Sequence, residues 1–395
     1  MQLSRNQLQL FSLIAVSMLA HITMGGGRIT ASLFMLKTSD SALLAGLAYS
    51  AYALLPAFLS LLMGRWIDRA GARFVMRVSQ VLMVSGLIAP ALLPQMATVM
   101  ASAMLCGLGF ASYMLAANVA VSMMPFERDG DRVGMLAWLS MGNSVAAVGG
   151  PTVAGYMIDH HGFAAAYGTM AVIVGCSLVV SFCVDVPGDA GDPRKDKAKG
   201  ESVVRMVFSD PRVLRIYLLA MVLSMAHDGF TFMMPVLGHE RGFSATAIGM
   251  VMSALAVGTF GMRIILPWLS RQFSEWQLLV LAYGVIGGAF LLLPFAYSVY
   301  LLAALGCALG MAQATGQPSV LSLIYRAMPE GKAGEGAGLR SMMGNTVGLT
   351  APSLYGSVAG VFGAVPVFIG VGCVACVASW QAWVGWLRSK VPQQS

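Results

Sequence analysis

The sequence predicts an all-α polytopic membrane protein, with twelve transmembrane helices in two pseudo-symmetric six-helix bundles. Three observations predict it. The 395 residues are 57% hydrophobic and only 10% charged, where a soluble domain carries about 25% charged residues. The apolar residues gather into a dozen runs, each near the ~20 residues that cross a bilayer. Basic residues crowd every second loop, so the net charge of +7 reads as membrane topology rather than nucleic-acid binding.

The runs span about 8–36, 42–63, 75–93, 97–122, 133–157, 162–184, 212–237, 244–268, 277–295, 297–324, 336–359 and 363–387. The first is too long for a signal-peptide core and reads as a retained helix. The longest polar segment, from Asp185 to Arg205, is rich in Pro, Gly, Asp and Lys and reads as a flexible linker. Val203–Phe208 within it is expected to form a short surface helix. This divides the chain into a first bundle (1–184), a linker (185–210) and a second bundle (211–395).

Orientation follows from the arginines and lysines. Loops after even-numbered runs hold Arg65, Arg69, Arg73, Arg128, Arg132, Arg271, Arg326 and Arg340 together with the linker cluster, whereas the opposite loops hold only Lys37 and Arg241. Both termini and the linker are therefore expected in the cytoplasm, and the short N-terminal segment and scarce outer-loop sequence point to a bacterial inner membrane.

The halves repeat at a spacing of about 203 residues. Ser41-Ala-Leu-Leu-Ala-Gly46 matches Ser244-Ala-Thr-Ala-Ile-Gly249. Gly142-Asn143-Ser144-Val145 recurs as Gly344-Asn345-Thr346-Val347, with Pro151 and Pro352 following. Parallel six-helix repeats place a binding site near the bilayer midplane.

The loop GRWIDRAGAR, residues 64–73, sits between the second and third runs. Its four charges, Arg65, Asp68, Arg69 and Arg73, belong at a membrane surface, and Gly64 and Gly71 are expected to make its turn. The spacing of Gly64, Asp68 and Gly71 closely resembles the signature loop of major facilitator superfamily transporters, and the repeat extends that resemblance over essentially the whole chain. The second-half copy has decayed to PWLSRQFSEW around Arg271. The resemblance implies two rocking bundles, with a latch in which Asp68 meets the start of run eleven near Gly336 and Arg132 and Arg340 join.

Run five carries Gly142, Gly149, Gly150, Pro151 and Gly155, similar to the glycine-proline motif of the superfamily's drug antiporters, with Ala154 in place of one expected glycine. The motif implies close backbone packing of runs five and eight. Run four departs from the proton-antiporter pattern: Ala103 stands where that pattern has arginine, and Cys106 replaces its usual glutamine beside Gly107.

No Gly-x-x-x-x-Gly-Lys-Ser/Thr cradle and no metal-ligand spacing occurs in the sequence, so an enzyme, a metal site and a cofactor are not expected. The six cysteines all fall within apolar runs and read as packing residues. What remains are polar residues inside runs, which cost a few kcal/mol there and usually face a cavity or a partner. These are Arg28, His227, Asp228, Arg263, Gln313 and Gln317, with His21 a weaker candidate. The repeat register brings Arg28 and Asp228 to symmetry-related helices, which the resemblance implies face one cavity, and the two are expected to pair or to exchange partners as a proton binds. Arg263 reads either as an anion anchor or as a side chain reaching the headgroups. Asn118, Asn143 and Asn345 read as interhelical hydrogen-bonders.

The expected function is secondary transport of a small organic solute by alternating access, foremost proton-coupled efflux of drug-like or metabolite compounds by a monomer in the lipid bilayer. The alternatives are uptake of a small organic anion held by Arg28 and Arg263, and a non-transporting membrane sensor on the same scaffold.

Overall fold

The computed structural model describes residues 5–122, 129–183, 203–329 and 333–389. These residues form helices α1 (Arg5–Ser39), α2 (Ala42–Ala70), α3 (Ala72–Leu92), α4 (Met96–Ser122), α5 (Asp129–Cys183), the short α6 (Val203–Ser209), α7 (Pro211–Glu240), α8 (Ala245–Gln272), α9 (Glu275–Leu292), α10 (Val299–Ala327), α11 (Ala333–Phe362) and α12 (Ala364–Ser389). Among the described residues there is no strand. Among the described residues, ten helices are long and apolar enough to cross a membrane. The 55-residue α5 is two helices meeting at Gly162, whose φ of 82° breaks the helical path. At ~1.5 Å per residue it exceeds a hydrocarbon core of about 30 Å more than twice over, so it supplies runs five and six. The short helix expected near residue 203 is α6.

One correction concerns the signature loop. α2 continues through Gly64 to Ala70, so Gly64 takes no part in the turn. The turn is made by Gly71 alone, with φ 80°. The exposed Arg65 and Arg69 explain the extension, because water solvates their heads while the backbone keeps its helical bonds.

Helix contacts divide the chain into two compact units. Unit 1 comprises Met1–Lys195 with Pro235–Ser253; unit 2 comprises Asp196–Met234 with Ala254–Ser395. The hairpin formed by the end of α7 and the start of α8 thus belongs to unit 1, unlike the division at the linker drawn from the sequence.

Unit 1 is built on backbone-to-backbone approaches. A Cβ on Gly107 of α4 would overlap the carbonyl of Tyr52 in α2, and one on Gly109 would stand 2.6 Å from the Ser79 carbonyl oxygen of α3. Gln80 of α3 donates to Ser177 Oγ (2.7 Å), which in turn donates to the Val16 carbonyl of α1 (2.9 Å). Ser17 of α1 donates to Asn143 Oδ1 of α5 at 2.7 Å, the interhelical role expected of that asparagine.

Unit 2 reproduces the same joint. A Cβ on Gly310 of α10 would overlap the carbonyl of Leu255 in α8. Both partners are displaced from Gly107 and Tyr52 by the repeat register. In unit 1, Ser41 and Ser244, also in register, cap α2 and α8 by accepting from Leu44 N (3.3 Å) and Ala247 N (3.2 Å). The repeat is therefore one of contacts as well as letters. Elsewhere in unit 2, Tyr217 of α7 donates to the Gly336 carbonyl of α11 (2.9 Å) and Ser379 of α12 to the Val280 carbonyl of α9 (2.9 Å).

Gly107→Ala pushes α2 and α4 apart. Thermal unfolding in detergent is expected to show a loss of about 1–3 kcal/mol, the scale of overpacking, and Gly310→Ala is expected to match it because the joint is the same.

Candidate functional site

Unit 1 gathers a cationic aromatic nest around Arg28. The residue is half-buried in α1, and its Nη1 donates to Tyr49 Oη at 3.4 Å. The guanidinium carbon stands 4.9 Å from the Tyr49 ring centroid and 5.7 Å from that of Tyr52. Both rings are buried, at 3% and 2% exposure. No acidic side chain among the described residues of this unit lies within ion-pair distance. Among the described residues, Arg28 Nε and Tyr52 Oη are buried with no hydrogen-bond partner. An arginine wrapped in tyrosine faces and holding an unspent buried donor is built to receive an acceptor. Of the other aromatic side chains of this unit, Tyr113 packs in the core and Trp138 is 57% exposed. His21 lies about two turns before Arg28, its Nδ1 3.2 Å from the Ser17 carbonyl and its ring edge-on to Phe110.

Unit 2 holds the second polar group. His227 Nδ1 lies 2.8 Å from Gln313 Oε1. A protonated Nδ1 donates to that oxygen and leaves Nε2 as an acceptor. Gln313 is 4% exposed, and its Nε2 has no partner among the described residues. Asp228 faces α11, where a Cβ on Gly348 would come 3.5 Å from its Oδ2, and Tyr355 nearby donates to the Met225 carbonyl at 3.3 Å. Gln317 is exposed. Arg263 lines a groove with Ser270, Glu275, Ser322 and Arg326. Arg28 and Asp228 belong to different units.

The glycine motif of α5 is corrected in part. Gly155 meets Ala245, and the carbonyl of Pro151 meets Gly249, so these two positions do bring α5 against α8. Gly142 and Gly150 instead receive α1: a Cβ would stand 2.6 Å from Ile14 Cγ2 and from the Ile22 carbonyl oxygen respectively, and Gly149 faces Ile22 at 3.5 Å. The reason is angular, since residues at i and i+4 share one helix face while others turn to the next neighbour. Thr152 Oγ1 and Ser253 Oγ, 2.7 Å apart, fasten α5 to α8, with Ser253 donating to the Val148 carbonyl at 2.6 Å.

One residue escaped the sequence reading. Asp159, in the turn before Gly162, accepts from Ala245 N (3.0 Å) and Thr246 N (2.7 Å). With Ser244 it caps the first amides of α8, where the helix dipole also favours an anion. Burial pushes its carboxyl up, and hydrogen bonds to this helix end more than offset that, so it sits below its ordinary value. An acidic residue ending one span, ahead of a span start rich in amides, was the available signal. On the same rim His239 Nε2 lies 3.2 Å from Asp40 Oδ1. Of the expected latch, Arg69 is exposed, Arg73 and Arg340 are half-buried, and the side chains of Asp68 and Arg132 lie outside the described residues.

Paired helical repeats with scarce intramembrane charges define a polytopic solute-transporter architecture, and no cluster of metal-ligating residues occurs among the described residues. Residues 13–296 match the Major Facilitator Superfamily, and the chain belongs to that family. A probable sulfoacetate transporter, SauU, of Cupriavidus necator is 26% identical over 141 residues, spanning 36% of this chain and 33% of that protein. The chain therefore matches about a third of that relative's length. Among solved structures, the nucleoside transporter NupG aligns with TM-score 0.81 at 13% identity, over 96% of this chain and 100% of that one. A peptide transporter POT in complex with sulfate aligns at 0.78 with 16% identity, over 96% and 94%. A bacterial homologue of the human lysosomal transporter Spinster, inward-facing and unoccupied, aligns at 0.76 with 13% identity, over 99% and 100%. These likenesses carry the fold; the family and its relatives are transporters, not enzymes.

Asp159→Ala is expected to cost about 0.5–2 kcal/mol, the range for a lost helix cap, read by thermal unfolding at pH 7. Because the folded carboxyl titrates below its unfolded value, its contribution is present above the ordinary carboxylate range and lost as pH falls through the folded value. The gap between wild type and variant should therefore close on acidification.

Proposed function

We propose that this transporter carries a small organic anion, a carboxylate or sulfonate, with Arg28 as the residue that holds its charge. The observation behind this reading is the buried Nε of Arg28, which has no partner among the described residues, beneath the rings of Tyr49 and Tyr52. An unsatisfied buried donor costs about 1–3 kcal/mol, and a planar carboxylate or sulfonate oxygen pair matches a guanidinium in both charge and geometry. Tyr49 and Tyr52 hold the cation by its face, so its N–H edge stays available. The anion carried by the relative from Cupriavidus necator, sulfoacetate, is consistent with this class. His227, its Nδ1 engaged by Gln313, and the neighbouring Asp228 are the groups through which a proton would couple to the anion's passage.

A second reading, proton-linked efflux of an amphipathic compound, draws on the tight α5–α8 contact at Gly155 and Pro151. A dry joint of that kind resists proton leak. Under that reading Arg28 is spare, which is why the anion reading ranks first.

Proteoliposomes given radiolabelled short carboxylates or sulfonates in the external medium, with an imposed proton gradient, distinguish the two. Wild type is expected to accumulate the anion, and Arg28→Gln is expected to lose about tenfold or more in uptake, as for a lost charge-assisted pair of ~1.5–3 kcal/mol. Arg28→Lys should retain an intermediate rate, since it keeps the charge without the fork. Undiminished anion transport in Arg28→Gln, or movement of amphipathic cations alone, rejects the anion reading. Asp228→Asn with full proton-driven accumulation removes Asp228 from the coupling step.

A further inference from the structure

We infer that the groove between α7 and α12 is a binding site for an anionic phospholipid, with an acyl chain along the groove and the phosphate at Arg215. The groove encloses about 380 Å³ and lies wholly within unit 2. Arg215, Leu218 and Val222 line it from α7, and Val374, Val377 and Gln381 from α12. On each helix these positions recur every three to four residues, so each set shares one face. Among the described lining residues Arg215 is the one ionisable group. Leu218 and Val377 are 51% and 60% exposed, an apolar surface that an acyl chain covers better than water does.

Length and depth fit one lipid leaflet. From residue 211 to residue 222 the groove follows α7 for about 16 Å, at ~1.5 Å per residue. That is roughly half of a hydrocarbon core of about 30 Å. Arg215 stands about one turn from the start of α7, which begins at Pro211. On α12, Trp383 and Trp386 have ring centroids 4.8 Å apart and lie in the last two turns, just before Arg388. Tryptophans followed by an arginine mark headgroup depth.

Charge selects the lipid. Arg388 is near enough for its like charge to act on Arg215. Neither arginine joins an ion pair among the described residues. Asp210, just ahead of α7, accepts from the Arg212 backbone amide at 2.8 Å as a helix cap. The groove mouth therefore presents two cations, and a phosphate diester offers them several acceptor oxygens. A small free anion would leave the apolar length uncovered, and a zwitterionic lipid would bring its own cation against the arginines. An anionic phospholipid answers both, as basic pockets between transmembrane helices do elsewhere.

The test uses full-length protein, delipidated in detergent, and a photoactivatable phosphatidylglycerol with a diazirine in its acyl chain. Unlabelled phosphatidylglycerol or phosphatidylcholine of identical chains competes with it. Peptide mapping and native mass spectrometry of retained lipid are the readouts. Wild type is expected to cross-link on α7 near Leu218 and on α12 near Val377, with phosphatidylglycerol the stronger competitor. Arg215→Gln should bind phosphatidylglycerol about fivefold more weakly, the effect of one basic residue near an anionic surface, while Arg215→Lys keeps most of the preference. Val377→Trp, at an exposed position, fills the groove with Arg215 intact. It should lose the cross-link, and it serves if Arg215→Gln folds poorly. Equal competition by the two lipids, or undiminished labelling in both Arg215→Gln and Val377→Trp, overturns the site. Equal competition by glycerol phosphate overturns the lipid and leaves a free-anion site. A dimer that Val377→Trp breaks, in place of cross-linked lipid, overturns it in favour of a second copy of the chain. Arg28→Gln should leave the labelling unchanged, so this result stands or falls separately from the transported anion.

Discussion

Hydrocarbon offers a peptide group no hydrogen bond and a charge no hydration, and the architecture of this chain follows from that. Backbone groups must pair within their own helices, which accounts for the uniformly helical described chain. Lipid cannot drive helices together as water does, so cohesion depends on close fit. The Gly107–Tyr52 and Gly310–Leu255 joints, with Gly150 against Ile22 and Gly155 against Ala245, are where that fit is tightest. Side-chain bonds such as Gln80–Ser177–Val16 and Ser17–Asn143 then fix which helix faces meet.

Within such a frame an ionisable side chain is retained only where something compensates it. Arg28 is compensated by the faces of two tyrosines, His227 by an amide oxygen, Asp159 by two backbone amides, and Glu275 by an arginine and a serine. These four arrangements differ in what they leave over. Asp159 and Glu275 have charged or dipolar partners that answer their own charge, as a structural group does. Among the described residues, Arg28 has a cation still unanswered within its unit, and Gln313 has an amide donor unspent. Residual capacity of this kind separates a site that waits for a ligand from one that holds helices together.

The helices were legible because hydrophobic run length is a coarse signal that survives local detail. The break at Gly162 was legible too, as a gap between runs five and six. Gly64 misled because glycine permits a turn without compelling one, and charged neighbours let the helix run on into water. The glycines of α5 misled for a different reason. Spacing says that something small is needed on a face, but not which neighbour comes to fill it, and α1 takes more of that face than α8 does. Arg28, His227 and Gln313 stood out as polar letters in apolar text, whereas the pairing of His227 with Gln313 joins positions 86 residues apart and carries no local signature. Asp159 lay hidden because a carboxylate at a loop is ordinary until the amides of another segment are seen to meet it.

The cap on α8 has a consequence for how the protein is made. The acceptor at Asp159 and the amides at Ala245 and Thr246 are also separated by 86 or 87 residues. Synthesis proceeds from the amino end, so the carboxylate is threaded into place while its partners are still unborn on the ribosome. The start of α8 is thus synthesised after the residue that caps it, so the order of translation lets the first partner be placed before the second.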